Sequence, residues 1–167
     1  MEALEALSTR RSIRTYQDRP IPEDALRTIL GSGMDAPSAM DQQAWHFVVV
    51  RDGLAEIPSA HNHSELVTGA AAAIVVCVDS GLEKLPGFWP QDLAACSQNI
   101  LLAAHALGIG GVWIGVHPTE ENVTGLRSLL GLPENVTPFS LLALGYPAEP
   151  YPAKENFKQD RIHYEKW

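Results

Sequence analysis

Cysteine and long apolar runs are both scarce in this chain of 167 residues. The two cysteines, Cys77 and Cys96, lie in apolar stretches, which favours buried thiols in a reducing compartment over a secreted disulfide framework. The longest uninterrupted aliphatic run, Ala70 to Val78, is too short to span a bilayer. The amino terminus carries acidic residues where a signal peptide needs an apolar stretch. We therefore expect a cytoplasmic protein that makes no contact with a membrane.

Basic residues are also few. Only 12 of them oppose 20 acidic residues, and the formal net charge is -8. A polynucleotide partner requires a broad basic face, so we expect no binding of nucleic acid. The length suits one domain that folds without disulfides or a structural metal.

The basic residues that are present are concentrated near the amino terminus. Four of the 12 lie within ten positions, at Arg10, Arg11, Arg14 and Arg19. Guanidinium groups match phosphate oxygens two at a time, and the hydroxyl of Ser12 adds a neutral donor. The cluster therefore indicates a site for one small phosphorylated ligand. The alternative is that Arg10 and Arg11 end a first helix, where cations complement the helix dipole and stay solvated.

Helical and strand-like stretches alternate along the chain without an internal repeat, which predicts an α+β or α/β fold with helices covering a small sheet. Apolar and branched residues predict four strands, at 46–50, 73–78, 111–116 and 139–144. Four helices are predicted: a short one marked by Leu4 and Leu7, one from Pro22 to Met34, an apolar core helix at 90–107 and an amphipathic helix at 119–130. We expect Leu4 and Leu7 to face the core.

The tail from residue 146 to residue 167 differs from the rest of the chain. Its prolines favour extended backbone, yet Ile162, Tyr164 and Trp167 are spaced like one face of a strand or an arm. Such an arm either crosses its own domain or reaches a partner. We favour the partner.

Five motifs together resemble the nitroreductase family of flavin enzymes. In chain order they are RRSIRTY from residue 10, PSAMDQQAW from residue 37, ALGIGGVWIG up to residue 115, LLGLPENVTP from residue 129, and ALGYPAE followed by RIHYEKW. The resemblance runs nearly end to end. It implies an α+β three-layer sandwich in which helices cover a central, mostly antiparallel sheet. It also implies one domain over residues 1–167 and an intertwined homodimer with FMN at the subunit interface, in which residues 147–167 form the arm that crosses to the partner.

The resemblance further implies roles for the arginine cluster. Arg10, Arg11 and Ser12 look like ligands of the FMN phosphate and ribityl chain. Arg14 resembles the basic side chain that the family places near the pyrimidine edge of the flavin. A cation there stabilises the reduced flavin and raises its reduction potential.

Other segments complete the implied FMN site: Pro37, Ser38 and Ala39 from the other subunit, Asp41 near a flavin edge, Trp113, Ile114 and Gly115 along the ring near N5, and Lys154 over the phosphate. Asp41 stands where the family commonly has asparagine, and Asn156 stands where it often has a second cation. From the residues alone, Pro37 to Ala39 also fits an ordinary turn, and Gly110 and Gly111 also fit close helix-to-sheet packing.

Three other motifs are not assigned to a ligand. The glycine-rich stretch 108–115 follows a helix and enters a strand, which is the reverse of the dinucleotide-binding order. His61 and His63 are interpreted as an exposed pair in a loop, so no metal is expected. Phe88 and Trp89 fit either a hydrophobic anchor for the core helix or an aromatic wall over the open face of the flavin.

From the resemblance we expect an FMN-dependent oxidoreductase. It would pass hydride from NADH or NADPH through flavin N5 to an electron-poor small molecule, a nitroaromatic, a quinone or similar, by a ping-pong mechanism. The cofactor carries the chemistry, so no catalytic side chain is assigned. The alternative is a non-enzymatic flavin-binding or redox-sensing module of the same fold.

Overall fold

A computed structural model describes residues 1–152 and 155–167, and within them a four-stranded sheet forms the centre of the molecule. The strands are β1 (Trp45–Val50), β2 (Ala72–Asp79), β3 (Gly110–Gly115) and β4 (Val136–Gly145). Their spatial order is β1-β2-β4-β3, and all three pairings are antiparallel. The predicted antiparallel sheet is confirmed.

Strand β2 explains why the sheet carries layers on both faces. Ile74 and Val76 point into one core, whereas Val75 and Cys77 point into the other. All four side chains are fully buried. Because successive residues of a strand alternate between faces, a strand that is apolar throughout must be covered on both sides.

Four helices provide most of that cover: α1 (Ala3–Thr9), α2 (Glu23–Met34), α3 (Trp89–Ala106) and α4 (Glu120–Leu130). Helices α2 and α3 pack on one face of the sheet, and α4 packs on the other together with the loop at 54–67. This arrangement confirms the three-layer α+β sandwich. Helix α3 is the predicted core helix, since no residue from Asp92 to His105 is exposed. None of the helices in the described ranges has the length and apolar character of a membrane span.

Helix α1 departs from the prediction. Its buried residue is Ala6, whereas Leu4 and Leu7 are 81% and 56% exposed. The expectation that both leucines face the core of the chain is therefore wrong. The helix has seven residues and lies against the edge of α3, so few of its positions reach the core. Leu7 instead lines an open groove of about 430 Å³ with Leu102 of α3, which we call the α1 groove.

The other strands and helices α2 to α4 begin and end within one residue of the prediction, except that β4 starts at Val136 rather than at Phe139. Pro138 lies opposite Cys77, where the pairing of β2 with β4 shifts register. A bulge of this kind admits a proline inside a sheet. The strand therefore continues through Pro138 and begins three residues before the predicted start.

Candidate functional site

The arginine-rich segment runs beside the start of β3. Ser12 forms a parallel bridge with Gly111, and the Ile13 N–H donates to the Gly111 carbonyl at 3.0 Å. A Cβ at Gly110 would lie 2.7 Å from the Ile13 side chain, and one at Gly111 would lie 2.9 Å from Leu101 of α3. Both glycines are therefore needed for close packing, as one of the two interpretations held.

The chain that follows β4 holds this segment from its other side. The Gln17 N–H donates to the Tyr146 carbonyl at 2.8 Å, and the Ala148 N–H donates to the Thr15 carbonyl at 3.0 Å. The Tyr16 hydroxyl donates to the Ile13 carbonyl at 2.6 Å, and burial raises the pKa of this hydroxyl, partly offset by nearby positive charge. The segment is thus extended and fixed on both sides. Since α1 ends at Thr9, the first two arginines lie beyond its last turn.

Arg10, Arg11, Ser12 and Arg14 line an open pocket of about 550 Å³, which we call the arginine pocket. Its other described lining residues are Tyr151, Pro152 and Asn156, and none of the seven is acidic. Among residues 1–152 and 155–167, no carboxylate lies within 4.0 Å of the guanidinium of Arg10 or Arg14. Positive charge without a nearby carboxylate favours an anionic ligand.

Arg11 connects the two walls of the arginine pocket. Its Nε donates to the Pro152 carbonyl at 3.2 Å. Its Nη1 donates to the carbonyls of Ser8 and Arg10 at 2.9 and 2.7 Å. These bonds orient the guanidinium before any ligand arrives, which lowers the entropy cost of binding.

His105 of α3, which is far from the arginine cluster in sequence, contacts Thr9 on one side and Tyr151 on the other. Its Nε2 lies 2.7 Å from Thr9 Oγ1, and its Nδ1 lies 3.4 Å from the Tyr151 hydroxyl. Because the Thr9 hydroxyl donates to the Glu5 carbonyl, its oxygen accepts from His105, and Nε2 carries the proton. Burial lowers the pKa of His105, and the neighbouring arginines lower it further. His105 therefore supports the pocket as a neutral side chain.

Strand β3 lies at the edge of the sheet, and its outer side carries a row of backbone groups. Gly111, Trp113 and Gly115 direct these groups away from β4, because residues alternate along a strand. The Gly111 carbonyl accepts from Ile13, and the Gly115 carbonyl accepts from His61 Nε2 at 2.9 Å. Between these bonds, the Trp113 N–H, the Trp113 carbonyl and the Gly115 N–H have no hydrogen-bond partner within the described ranges. This donor, acceptor and donor row, which we call the β3 edge, suits the edge of a planar heterocycle.

Gly115 leaves space beside the β3 edge. The residue is exposed, its φ lies outside the left-handed region, and a Cβ built on it meets no atom within 4 Å. Packing and backbone conformation thus give no reason for a glycine, although glycine weakens a strand. A ligand that lies close to the backbone at this position would be a reason for the glycine.

The two neighbouring residues of β3 have different surroundings. Ile114 is 9% exposed and belongs to the core around Leu126, and its backbone groups face β4. The structure therefore does not bring Ile114 to the β3 edge. Trp113 is half-buried and meets the ring of Phe139 edge to face, with centroids 5.7 Å apart.

Pro37, Ser38 and Ala39 lie elsewhere on the chain. They line a shallow pocket of about 380 Å³ together with Phe88 and the start of α3. No described residue lines both this pocket, which we call the proline pocket, and the arginine pocket. A single chain thus separates the two halves of the predicted site.

A buried carboxylate anchors the proline pocket. Asp92 of α3 accepts from the Ala39 N–H at 3.0 Å and from the side-chain amide of Gln42 at 2.5 Å. The Gln42 carbonyl oxygen in turn accepts from the N–H groups of Lys84 and Leu85. Sequence reasoning missed Asp92 and Gln42 as supporting residues. The available signal was an acidic residue in the first turn of an otherwise apolar helix.

The loop that follows the proline pocket is conformationally strained. Met40, Asp41 and Gln43 have positive φ angles of 54°, 49° and 47°. Such non-glycine residues cluster at binding sites, where surrounding bonds hold them in place. Here the Lys84 ammonium donates to the Asp41 carbonyl at 2.8 Å. The Asp41 carboxylate is exposed and accepts from the Gln43 amide at 2.6 Å.

The prediction that His61 lies in an exposed loop is wrong. His61 is 3% exposed, and its ring reaches Gly115 across 54 positions of sequence. His63 is exposed, as expected. No local pattern signals such a long-range contact. Within the described ranges, no group of three or more histidine, cysteine, aspartate or glutamate side chains is arranged to hold a metal.

Phe88 and Trp89, for which the sequence left two roles open, have different surroundings. Trp89 packs edge to face on His117 and Phe139, with centroids 4.7 and 5.9 Å apart, and so anchors the start of α3. Phe88 is 42% exposed at the proline pocket. Phe88 is therefore the more exposed of the pair, whereas Trp89 is half-buried.

Comparison with known proteins identifies the family. Residues 7–80 and 59–146 match the model described as the nitroreductase family. The chain belongs to the nitroreductase family.

Several nitroreductase relatives are similar over nearly their whole length. A Methanothermobacter thermautotrophicus protein provisionally named NADH dehydrogenase/NAD(P)H nitroreductase is 54% identical over 169 residues, which cover 100% of this chain and 88% of the relative. The crystal structure of a Bacteroides thetaiotaomicron protein with the same provisional name has a TM-score of 0.94 at 36% identity, covering 99% of this chain and 98% of the other. A provisionally named nitroreductase from Desulfovibrio desulfuricans, solved in complex with FMN, has a TM-score of 0.88 at 30% identity, covering 100% and 98%.

In this member of the nitroreductase family, the predicted site residues thus fall into two groups. Arg10, Arg11, Ser12 and Arg14 lie at the start of the strand that carries Trp113 and Gly115. Pro37, Ser38 and Ala39 line the proline pocket, and Asp41 lies in the loop that follows them. Lys154 lies outside the described residues.

Proposed function

We propose that this nitroreductase is an FMN-dependent oxidoreductase. It passes hydride from NADH or NADPH to an electron-poor small molecule, such as a nitroaromatic or a quinone, by a ping-pong mechanism. The names of its relatives support a nicotinamide reductant, and the Desulfovibrio structure with bound FMN supports the cofactor.

One observation carries the proposal: the arginine pocket and the β3 edge lie on one continuous track. Ser12 pairs with Gly111, and Gly115 lies four residue steps further along the strand. At the usual rise per residue this track is about 13 Å long. It is long enough for a phosphate at one end and a planar ring system at the other.

The residues along this track fit FMN. The arginine pocket offers guanidinium groups with no acidic lining residue, which suits a phosphate. The β3 edge offers fixed, uncharged donors, and Gly115 leaves room for a ring to approach. When bound, FMN supplies reversible hydride chemistry at N5, which serves the nicotinamide and the acceptor in turn.

Each group of residues then has a role in holding and tuning the cofactor. Arg10, Arg11 and Ser12 bind the phosphate and ribityl chain, and Lys154 adds a cation there. Arg14, which also lines the arginine pocket, would favour the reduced form of the ring by its charge. Trp113 and Gly115 fix the plane of the ring through their backbone groups, with Ile114 locking the strand to the core.

We further propose that the site is completed in a homodimer. The proline pocket, with Pro37, Ser38, Ala39 and Asp41, then meets the flavin from the partner subunit. Three surfaces support a second copy: the α1 groove, the outer edge of β1, whose described pairing is with β2, and the tail, whose side chains Phe157, Tyr164 and Trp167 are 66%, 77% and 101% exposed. Apolar surface on this scale favours association.

Spectroscopy on the purified protein tests the proposed function. We expect flavin absorbance after reconstitution with FMN, and bleaching when NADH or NADPH is mixed in anaerobically. Riboflavin, which lacks the phosphate, is the matched control and should bind far more weakly. Bound FMN that neither nicotinamide bleaches would indicate a non-enzymatic flavin-binding module, and no flavin absorbance at all would reject both functions.

A further inference from the structure

The bond between His61 and Gly115 defines the state of the histidine ring. The Gly115 carbonyl can only accept, so the Nε2 atom at 2.9 Å carries a proton. In the neutral ring, Nδ1 is then an acceptor. This Nδ1 is buried and has no hydrogen-bond partner within the described ranges.

The loop of His61 is held firmly on the side away from β3. The Ser64 hydroxyl donates to the His61 carbonyl at 2.8 Å, and the Asn62 N–H donates to Asn122 Oδ1 of α4 at 3.1 Å. A Cβ on Gly125 of α4 would lie 2.1 Å from the Ala60 carbonyl oxygen, so loop and helix are in close contact. Several separate contacts therefore hold this loop, so that the loss of one of them leaves the imidazole in place at β3.

The position of His61 along β3 is specific. Ile13 bonds to Gly111 at one end of the β3 edge, and His61 bonds to Gly115 at the other. Because the N–H and the carbonyl of one strand residue point the same way, the His61 bond also fixes the direction of the Gly115 N–H. A packing role alone does not account for a buried imidazole with one unpaired nitrogen, since an apolar side chain would avoid that cost.

We propose that His61 is a positioning residue for hydride transfer: through Gly115 it sets the end of the β3 edge that would meet the edge of the flavin ring. This inference rests on the proposed function. It assigns to His61 no contact with the flavin or the substrate. Its effect passes through one hydrogen bond to the backbone.

Four variants separate this role from a general role in stability. His61→Leu removes the donor. His61→Gln keeps a donor near the position of Nε2, whereas His61→Asn moves the donor to the position of Nδ1. Asn122→Ala removes one of the contacts that hold the same loop, without touching Gly115, and serves as the matched control.

The first measurement uses the FMN-free protein. Long-range ¹H–¹⁵N spectra should show a His61 ring protonated at Nε2. The backbone amide signal of Gly115 should move in His61→Leu and His61→Asn, and should stay near its wild-type position in His61→Gln and Asn122→Ala. A ring protonated only at Nδ1 would overturn the proposal. A Gly115 amide signal that keeps its chemical shift in every variant would overturn it as well.

The second measurement is single-turnover reduction of bound FMN by the nicotinamide that bleaches the wild type. Misplacement near a reacting centre costs about 10- to 100-fold in rate, and we expect this loss in His61→Leu and His61→Asn. FMN affinity should fall by about tenfold at most, the value of one neutral hydrogen bond. His61→Gln and Asn122→Ala should stay within about threefold of the wild-type rate, a margin smaller than one such bond.

The outcomes distinguish the two proposals. A wild type that is not bleached contradicts the proposed function and, with it, the role of His61. A wild type that is bleached normally, with His61→Leu equally fast, contradicts the role of His61 alone. Equal slowing by Asn122→Ala and His61→Leu would also contradict it, because loosening of the loop would then suffice.

Discussion

At the scale of single residues, the glycines of β3 have different reasons to be glycine. A Cβ would collide with Ile13 at Gly110 and with Leu144 at Gly111, at 2.7 Å in each case. At Gly115 a Cβ would meet open space. The fold thus explains the first two glycines but not the third, and the proposed FMN site gives a testable reason for it.

Gly115→Ala should separate stability from binding. We expect the melting temperature to stay the same or rise slightly, because alanine costs about 0.5 to 1 kcal/mol less backbone entropy than glycine. FMN binding should weaken by about 1 to 3 kcal/mol, the usual cost of an added methyl group in a filled space. Thermal unfolding without FMN and fluorescence titration with FMN measure the two effects. Gly111→Ala is the matched control, since it should lower the melting temperature in the FMN-free protein.

Arg11→Ala tests the phosphate end of the track. The substitution removes a charged donor of the arginine pocket and the bonds that tie the pocket to the carbonyls of Ser8 and Pro152. We expect FMN binding to weaken by about 1 to 3 kcal/mol, as for other charged hydrogen bonds. Riboflavin affinity should change little. Arg27→Ala, which removes a cation on α2 outside this pocket, should leave FMN affinity unchanged, and equal losses in the two variants would contradict the assignment.

At the scale of elements, strand β2 and helix α3 carry the two cysteines into separate parts of the core. Cys77 and Cys96 have no exposed surface, which confirms the predicted buried thiols. Burial raises the pKa of each thiol to about 12. Both thiols therefore stay protonated in the native state well above neutral pH.

This burial makes stability depend on alkaline pH. The unfolded chain loses its thiol protons near pH 8.5, whereas the native chain retains them up to about pH 12, so the free energy of unfolding falls between these values. The slope is about 1.4 kcal/mol per pH unit for each thiol. Urea unfolding at pH 7, 9 and 10 measures it. Cys77→Val should give a shallower decline than the wild type between pH 9 and 10, and an identical decline would contradict the thiol contribution.

At the scale of the whole molecule, surface suited to association is left uncovered in three separate places. Leu4 and Leu7 lie on α1, the outer edge of β1 faces no described strand, and Trp167 ends an exposed tail. A chain of this size normally covers such groups or uses them in an interface. The separation of the arginine pocket from the proline pocket fits a site shared between two copies.

Truncation of the tail tests the homodimer. Because Tyr146 and Ala148 bond to the segment that carries the arginine cluster, the cut must fall after them. A chain that ends at Pro152 should be monomeric or aggregated by light scattering after size exclusion. The full chain with Tyr164→Ser and Trp167→Ser is the matched control for length and should also dimerise less. A stable dimer of the truncated chain would contradict the role of the arm.

Much of the fold was predictable because local sequence patterns determine where its helices and strands begin and end. Alternating and continuous apolar residues located the strands, and Pro22, Gly108 and Gly131 marked helix ends. The predicted burial of Leu4 and Leu7 was wrong, because helical spacing shows which residues share a face but not whether that face meets the core. The start of β4 was predicted three residues late, and only the pairing with β2 reveals the bulge that admits Pro138.

The candidate site was predictable only where its residues are close in sequence. The arginine cluster and the motif at residue 37 were identified as candidates by composition and resemblance, and their roles remain predictions. His61 and Asp92 were not identified as candidates, since they bond to residues that lie 54 and 53 positions away in sequence. Such contacts depend on where the loops and helices come to lie.

By itself, the sequence determined the identity and order of the helices and strands, the burial of both thiols and the concentration of positive charge near residue 10. These properties follow from side-chain chemistry at neighbouring positions. The tertiary structure decided that this charge lies beside β3, that Gly115 faces open space, and that a histidine from a distant loop fixes its carbonyl. Those properties require the chain to close loops of more than 50 residues, which has an entropy cost. The burial of apolar side chains in the two cores on either side of the sheet offsets that cost, and no local pattern does.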